Sequence, residues 1–336
     1  MYPPITLNKS SKFFVAMCKD AKSVHSFISL GVEINNKQVL LGSFGKVISR
    51  GSSTCCFLFG ETSGRIINER IFFTQKKEKI RSNMTYKAWS LSLLQYMEFL
   101  AYMREISMSQ KSLSALDAYC PVSETDTEVT LEWQSVEDKN LIEYVSDEPE
   151  DLDEYKHIGL INTCRHSAIK LTQKASQLSD LGHGISSLFT LSAPLTTEVT
   201  AGVMGTKGEH IFILPLPPRS FPGLCDKKMA IIKKLYERLD TILLIEEYKK
   251  STINKFEKIK SLYESITSNE KASMSEVFNE ISGWVDSNKR LISTHRKSHW
   301  ISFPTATEKM FKQLLEDNQV YKNAGEQSAP QGFQAW

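Results

Sequence analysis

Residues 158–170 read Ile-Gly-Leu-Ile-Asn-Thr-Cys-Arg-His-Ser-Ala-Ile-Lys, and the character of the chain changes inside them. A short apolar run, His157 to Ile161, ends in Asn162-Thr163. Cys164 follows at once, and an amphipathic segment from Arg165 to Leu178 begins. The spacing predicts a strand that runs into a helix, with the cysteine at the junction. A thiol at a helix N-terminus sits at the positive end of the helix dipole, which lowers its pKa and makes it a better nucleophile. With a histidine in reach, this is half of a thiol enzyme's active site. A free cysteine between Ile161 and Ala168 also fits plain core packing, since free cysteine is among the most buried residue types.

The 336 residues are enough for two domains, and 41% apolar with 10% aromatic content fits a packed core. A net charge of +2 gives no electrostatic case for a nucleic-acid partner. Six cysteines (Cys18, Cys55, Cys56, Cys120, Cys164, Cys225) form no Cys-x-x-Cys pair and no dense framework. With no secretory signal at the N-terminus, the expectation is a reducing, cytoplasmic setting. The Cys55-Cys56 pair reads as part of a buried strand.

No metal or cofactor is expected. Gly42-Ser-Phe-Gly-Lys-Val47 and Gly205-Thr-Lys-Gly208 are glycine-rich but lack phosphate-loop or dinucleotide spacing. His295 and His299 lie four apart beside Arg296 and Lys297, which reads as a basic surface segment. No window approaches the ~18 uninterrupted apolar residues of a membrane span. The nearest, Gly184 to Met204, is broken by Pro194 and Glu198. It reads as a buried or capping segment, with peripheral membrane contact as the other option.

Working outward, residues 1–22 read as a lead-in with an apolar run, Phe13 to Met17. Strands are expected over His25–Leu30, Val39–Leu41, Cys55–Phe59 and, after a turn at Thr62-Ser63-Gly64, Ile66–Thr74. A basic patch, Lys76 to Arg81, follows. Leu91, Leu94, Tyr96, Phe99, Leu100 and Met103 recur at helical spacing, predicting a helix over 85–106 capped by Thr85 or Ser90. Residues 124–154 hold thirteen carboxylates against one basic residue, Lys139. This acidic insertion reads as solvated, with a strand at Val129–Trp133; a docking arm for a basic partner is the sharper alternative. His210-Ile-Phe-Ile-Leu opens another strand.

From Asp226 the pattern is helical. Ile232, Leu235, Leu239 and Ile242, then Ile253, Phe256, Ile259, Leu262 and Ile266, fit two helices or one long bent helix. Met274–Val285 gives another, and Thr305-x-x-Glu308 is a capping box for a last one. The expected organisation is an α+β domain over 1–223, a helical bundle or hairpin over 224–320, and a disordered tail over 321–336.

Two histidines open strand-like runs. His210 lies after the cysteine, the order of ordinary papain-like folds. His25 lies before it, the order of circularly permuted ones. His25-Ser-Phe-Ile-Ser-Leu-Gly31 resembles the histidine strand of permuted NlpC/P60-type thiol enzymes. Tyr155-x-x-Ile-Gly-Leu-Ile-Asn-Thr-Cys164-Arg-His166 resembles their Tyr-x-Leu-x-x-x-Asn-Cys-x-His segment. Relatives of that group include the lecithin:retinol acyltransferase-like enzymes and the PPPDE-type deSUMOylating and deubiquitinating peptidases. The resemblance covers about twenty residues. It departs in two places: Thr163 intervenes between Asn162 and Cys164, and Val39-Leu-Leu-Gly42 lacks the second histidine of the acyltransferase branch.

The resemblance implies a small antiparallel sheet with packed helices. It also implies a Cys164/His25 dyad, with Asn162 as a possible oxyanion donor, His210 as the alternative base, and Glu33 or Ser43 as candidates to orient the imidazole. His166 reads as structural. The function expected is hydrolysis of a protein or isopeptide, ubiquitin-like substrate through a thioester. An acyltransferase or phospholipase on the same scaffold, with 184–204 touching the membrane, is the second option. A non-enzymatic adaptor that binds a partner through helices 226–320 is the third. A thiol-enzyme-like front on a helical back also resembles secreted bacterial effectors, which would act in a host cytoplasm.

Overall fold

The run Phe13-Phe-Val-Ala-Met17, read from sequence as a lead-in, lies at the heart of the larger sheet. In the computed structural model, the described residues are 2–20, 25–35, 37–49, 60–69, 83–110, 115–138, 152–179, 181, 195, 197–200, 210–245, 250–294 and 304–327. The chain divides into two units, Met1–Leu216 and Pro217–Trp336. The first is α+β.

Its larger sheet uses β2 (Lys12–Asp20), β3 (Ser26–Ile34), β4 (Lys37–Ile48), β5 (Thr62–Asn68), β6 (Asn83–Leu91), β9 (His157–Ile158), β10 (Thr197–Thr200) and β11 (Ile213–Leu214). The order is β10-β6-β2-β3-β4-β5-β9, antiparallel throughout, and β11 adds to β6 in parallel. This eight-stranded mixed sheet is larger than the small antiparallel sheet expected. A separate three-stranded antiparallel sheet joins β1 (Ile5–Asn8), β8 (Glu128–Ser135) and β7 (Asp117–Glu124).

Continuous apolar character in β2 reflects burial on both faces. On one face Phe14, Ala16 and Cys18 join Phe27, Leu40, Met84, Tyr86, Ala88, Ile211 and Ile213 in a core. From the other, Phe13 stacks on Tyr96 of α1 (Leu93–Ser109), with ring centroids 5.1 Å apart. Helix α2 (Cys164–Ser176) lies across β2, β3 and β4. The buried face of α2 is rich in small side chains, Ser167, Ala168, Thr172, Ala175 and Ser176, with Leu171 among them. Small residues let a helix approach a sheet closely, which fixes the position of its first turn.

Three local expectations need correction. Residues 85–91 form strand β6, not helix, and α1 starts after Ser92. Ser92 Oγ accepts from Gln95 N at 3.1 Å while Gln95 Oε1 accepts from Ser92 N at 2.8 Å, a full capping box that displaces Thr85 and Ser90 as caps. Thr62-Ser63-Gly64 is strand, not turn, paired with β4 on one side and β9 on the other. Val39–Leu41 is strand as expected but lies near the start of a longer, twelve-residue one.

The second unit is helical: α3 (Asp226–Ile245), α4 (Lys250–Ser268), α5 (Met274–Ser287), α6 (Lys289–Ser293) and α7 (Ala306–Gln327). Thr305 caps α7 as its spacing predicts, with Glu308 N donating to Thr305 Oγ1 at 3.0 Å and Thr305 N to Glu308 Oε2 at 3.2 Å. Buried Lys228 donates to the carbonyls of Asn269 and Glu270 just beyond the end of α4. A cavity of about 290 Å³ is lined by Lys227, Ile231, Lys234, Met274, Phe278 and Leu314. Among the described residues no helix is long and apolar enough to cross a membrane. The Cys55-Cys56 pair, the basic patch 76–81, residues 139–151 of the acidic segment, residues 184–194, 196 and 201–204, His295, His299 and the last residues of the tail lie outside the described residues.

Candidate active site

Thr163, the residue that interrupts the Asn-Cys pattern, caps the cysteine helix. Its backbone is extended (φ −87°, ψ 176°), and its side chain accepts from His166 N at 3.3 Å. Its carbonyl takes Ser167 N at 3.1 Å. The cap satisfies N–H groups that a helix start leaves open and makes Cys164 the first residue of the helix.

Cys164 hydrogen-bonds the His25 side chain and the backbone N–H groups of Ser26 and Arg165. Burial alone would push the thiol up. The hydrogen bond and charge of His25, then the two N–H groups, outweigh burial and hold the thiol below its ordinary value. Cys18 and Cys120 give the contrast: both are buried, and burial pushes each thiol up to about 12. Cys164 is only partly covered, and Cys225, in the helical unit, is exposed.

His25 immediately precedes β3, and its carbonyl accepts from Asp20 N at 3.1 Å. Its ring stacks on Phe27, centroids 5.8 Å apart at 25°. Burial opposes its protonation, but hydrogen bonds to Cys164 and Glu69, with their charges, raise its pKa to about 10. Thiol and imidazole therefore favour the thiolate–imidazolium form.

Glu69 is the third member of this constellation. Its Oε1 lies 2.6 Å from His25 Nε2. It follows β5 directly, with its N–H on Ser43 O at 2.9 Å. Its side chain runs across β4 at Gly45, where any Cβ would collide with the carboxylate. Neither residue named from sequence to orient the imidazole does so. Ser43 is buried, donating to Ile28 O at 2.8 Å and meeting Ser29 Oγ at 3.1 Å. Glu33 pairs with Gln38 toward the far end of β3. Sequence reading missed Glu69 because 44 residues and one strand partner separate it from His25. The available signal was a lone acid among Thr62–Thr74, beside a glycine-bearing strand.

The remaining expected site residues have other surroundings. His210 precedes Ile211, whose backbone is held by Gln38 (Nε2 to Ile211 O, 2.7 Å), and its ring meets Phe212 edge-on at 5.3 Å. The groups that set the Cys164 thiol are His25, Ser26 and Arg165; His210 is not among them. Asn162 spends its amide on two carbonyls, Glu154 O at 2.7 Å and His157 O at 3.0 Å. That leaves no side-chain N–H for an oxyanion, which corrects the expected role. Its Oδ1 accepts from Lys46 Nζ at 2.6 Å. His166 faces Glu154, Nε2 to Oε2 3.4 Å. Among the described residues no group of three or more His, Cys, Asp or Glu side chains is placed to hold a metal ion.

Comparison with known protein families, with curated proteins and with solved structures finds no match to this chain.

Proposed function

We propose that the chain is a cysteine-dependent hydrolase on a circularly permuted papain-like scaffold. Cys164 is the nucleophile, His25 the general acid and base, and Glu69 the carboxylate that orients the imidazole. The observation that carries this reading is one imidazole bonded both to a helix-start thiol and, at 2.6 Å, to a carboxylate. Chain order supports the permuted scaffold: the histidine strand comes first, and the cysteine helix follows and packs on it.

The chemistry is acyl transfer. The Cys164 thiolate attacks the substrate carbonyl carbon; the C–S bond forms as the carbonyl π pair moves to oxygen. The N–H of Cys164, in the first turn of α2, stabilises the oxyanion. Collapse breaks the C–N bond, and the leaving amine takes the proton from His25, giving a thioester. His25, now neutral, removes a proton from water as water attacks. The C–S bond then breaks and returns thiolate and imidazolium. Glu69 keeps the ring aimed at sulfur through both halves.

The substrate in this reading is a protein or isopeptide amide of ubiquitin-like type, with the helical unit as recognition module. A second reading, acyl transfer or lipid hydrolysis, draws on Leu160 and Ile161. These are 42% and 73% exposed, on the loop that delivers Cys164. The test is hydrolysis of ubiquitin-like conjugates and of phospholipid vesicles by wild type, Cys164→Ser and His25→Ala. Cleavage of conjugates lost in both variants supports the first reading, and lipid cleavage alone supports the second. Activity that survives Cys164→Ser overturns both.

A further inference from the structure

Lys46 is a long cation on an interior strand, only 1% exposed. A charge is taken out of water at a cost of several kcal/mol unless it is well bonded. Lys46 is well bonded, but not to a carboxylate. Its Nζ donates to the carbonyl of Glu154 and to Asn162 Oδ1. To get there its stem leaves β4 and passes β5 at Gly64, where a Cβ would come within 3.2 Å of Lys46 Cε, of the His157 carbonyl carbon and of Ile158 Cβ.

The groups that Lys46 grips are tied to one another. Asn162 Nδ2 donates to Glu154 O and His157 O. Gly159 N donates to Asn162 O at 3.2 Å, and Gly64 N donates to Lys156 O at 2.7 Å. Residues 154–162 thus form a closed loop that pairs with β5 through β9 and is gripped at Glu154 and Asn162 by the Lys46 ammonium from β4. The next residue is the cap Thr163, and the one after it is Cys164. The charged groups around Lys46 are Glu154, Glu61 and Cys164. Burial lowers the Lys46 pKa to about 8 against all three, so near neutral pH the ammonium form persists.

We infer that Lys46 is a positioning residue of the thiol site, its ammonium holding the 154–162 loop through Asn162 and Glu154 so that Cys164 meets His25. This rests on Cys164 being the nucleophile, and it assigns Asn162 to the same clasp. Lys46 does not touch the reacting atoms; it acts through the loop.

The experiment compares wild type, Lys46→Met, Asn162→Ala and the double variant by the pH dependence of iodoacetamide alkylation at Cys164, located by peptide mass spectrometry. No substrate is needed, so the outcome is separate from that of the proposed function. Failure of that reading would show as hydrolysis surviving Cys164→Ser. A displacement of about 1 Å costs about 100-fold in reactions that depend on alignment. The expected result is alkylation at neutral pH slowed at least about 10-fold in each single variant, with the midpoint moved to higher pH. The double variant should be little worse than either single one, because both remove one device. A folded Lys46→Met with the wild-type profile overturns the inference. If Lys46→Met does not fold, an unchanged profile in Asn162→Ala overturns it, as do fully additive losses.

Discussion

Glu69 Oε1 and His25 Nε2 meet at 2.6 Å across 44 residues of chain, and Gly45 leaves the space through which they meet. Both side chains are mostly covered, with 27% of His25 and 11% of Glu69 exposed. The bond therefore fixes the ring more firmly than a solvated pair would. Glu69→Gln keeps a hydrogen-bonding group but removes the charge that favours imidazolium. The expected outcome is a loss of about 10–100-fold in kcat/KM, with a lower His25 pKa by NMR titration. Gly45→Ala should reproduce the loss while Glu69 remains, because the methyl displaces the carboxylate.

The pH profile follows from the directions of the two shifts. Cys164 lies below the ordinary thiol value and His25 is raised to about 10. The ion pair exists above the first and below the second. Hydrolysis should rise with pH through the lowered thiol value, hold across neutrality, and fall as His25 loses its proton near pH 10. Alkylation of Cys164 should reach half its maximum at a pH below that of an ordinary thiol. His25→Ala should move that midpoint upward and slow turnover by about 100–10,000-fold. A His210→Ala protein with comparable loss would contradict the assignment of His25.

Cysteine selectivity gives a simple check on the wild-type protein. Burial holds the Cys18 and Cys120 thiols up at about 12, and neither is accessible. At neutral pH under native conditions, iodoacetamide should label Cys164 far ahead of both. Exposed Cys225 is the internal comparison, and Cys164 should outpace it as well. Equal rates at Cys164 and Cys225 would remove the activated thiol.

Thr163 ties helix stability to thiol chemistry. Thr163→Ala removes the bond to His166 N and should cost about 1 kcal/mol in unfolding by urea. The first turn of α2 then frays, and the alkylation midpoint of Cys164 should rise. Thr163→Ser keeps the oxygen and should behave as wild type in both measurements.

Leu160 and Ile161 stand in solvent at 42% and 73% exposure on a loop pinned from below. Replacing both with Ser should leave the thermal midpoint within about 2 °C, since surface substitutions change stability little. KM for a substrate that is apolar next to the scissile bond should rise several-fold, with kcat less affected. An unchanged KM would show that this lip does not touch substrate.

How much was legible differs from residue to residue. The helix start at Cys164 was readable because an amphipathic helix leaves a local periodic trace, but the strand expected over His157–Ile161 shrinks to His157–Ile158, and Leu160 and Ile161 lie exposed on the loop before Thr163. The capping box at Thr305 was readable for the same reason, since both partners lie within one turn. The boundary near residue 85 was misread because the helical spacing of Leu91–Met103 was extended backward into β6, where Tyr86, Ala88 and Trp89 belong to a sheet. Thr163 looked like a flaw in a motif until its side chain was seen to cap the helix. Asn162 looked like a donor to substrate, and its amide proves to be spent on its own loop.

The sequence by itself determined the cysteine at a helix start, a histidine at a strand start, and their chain order. Each of these is local, carried by neighbours within a few residues. Only the tertiary structure decided which carboxylate orients the imidazole, and that a buried lysine holds the loop before the thiol. Glu69 reaches His25 over Gly45, and Lys46 reaches Asn162 past Gly64. Both links run across strands whose pairing register depends on the whole sheet, and a one-residue slip would turn each side chain to the other face. No local pattern carries that information. The feature that makes both links possible is an absent Cβ, which means something only once the neighbouring strand is in place.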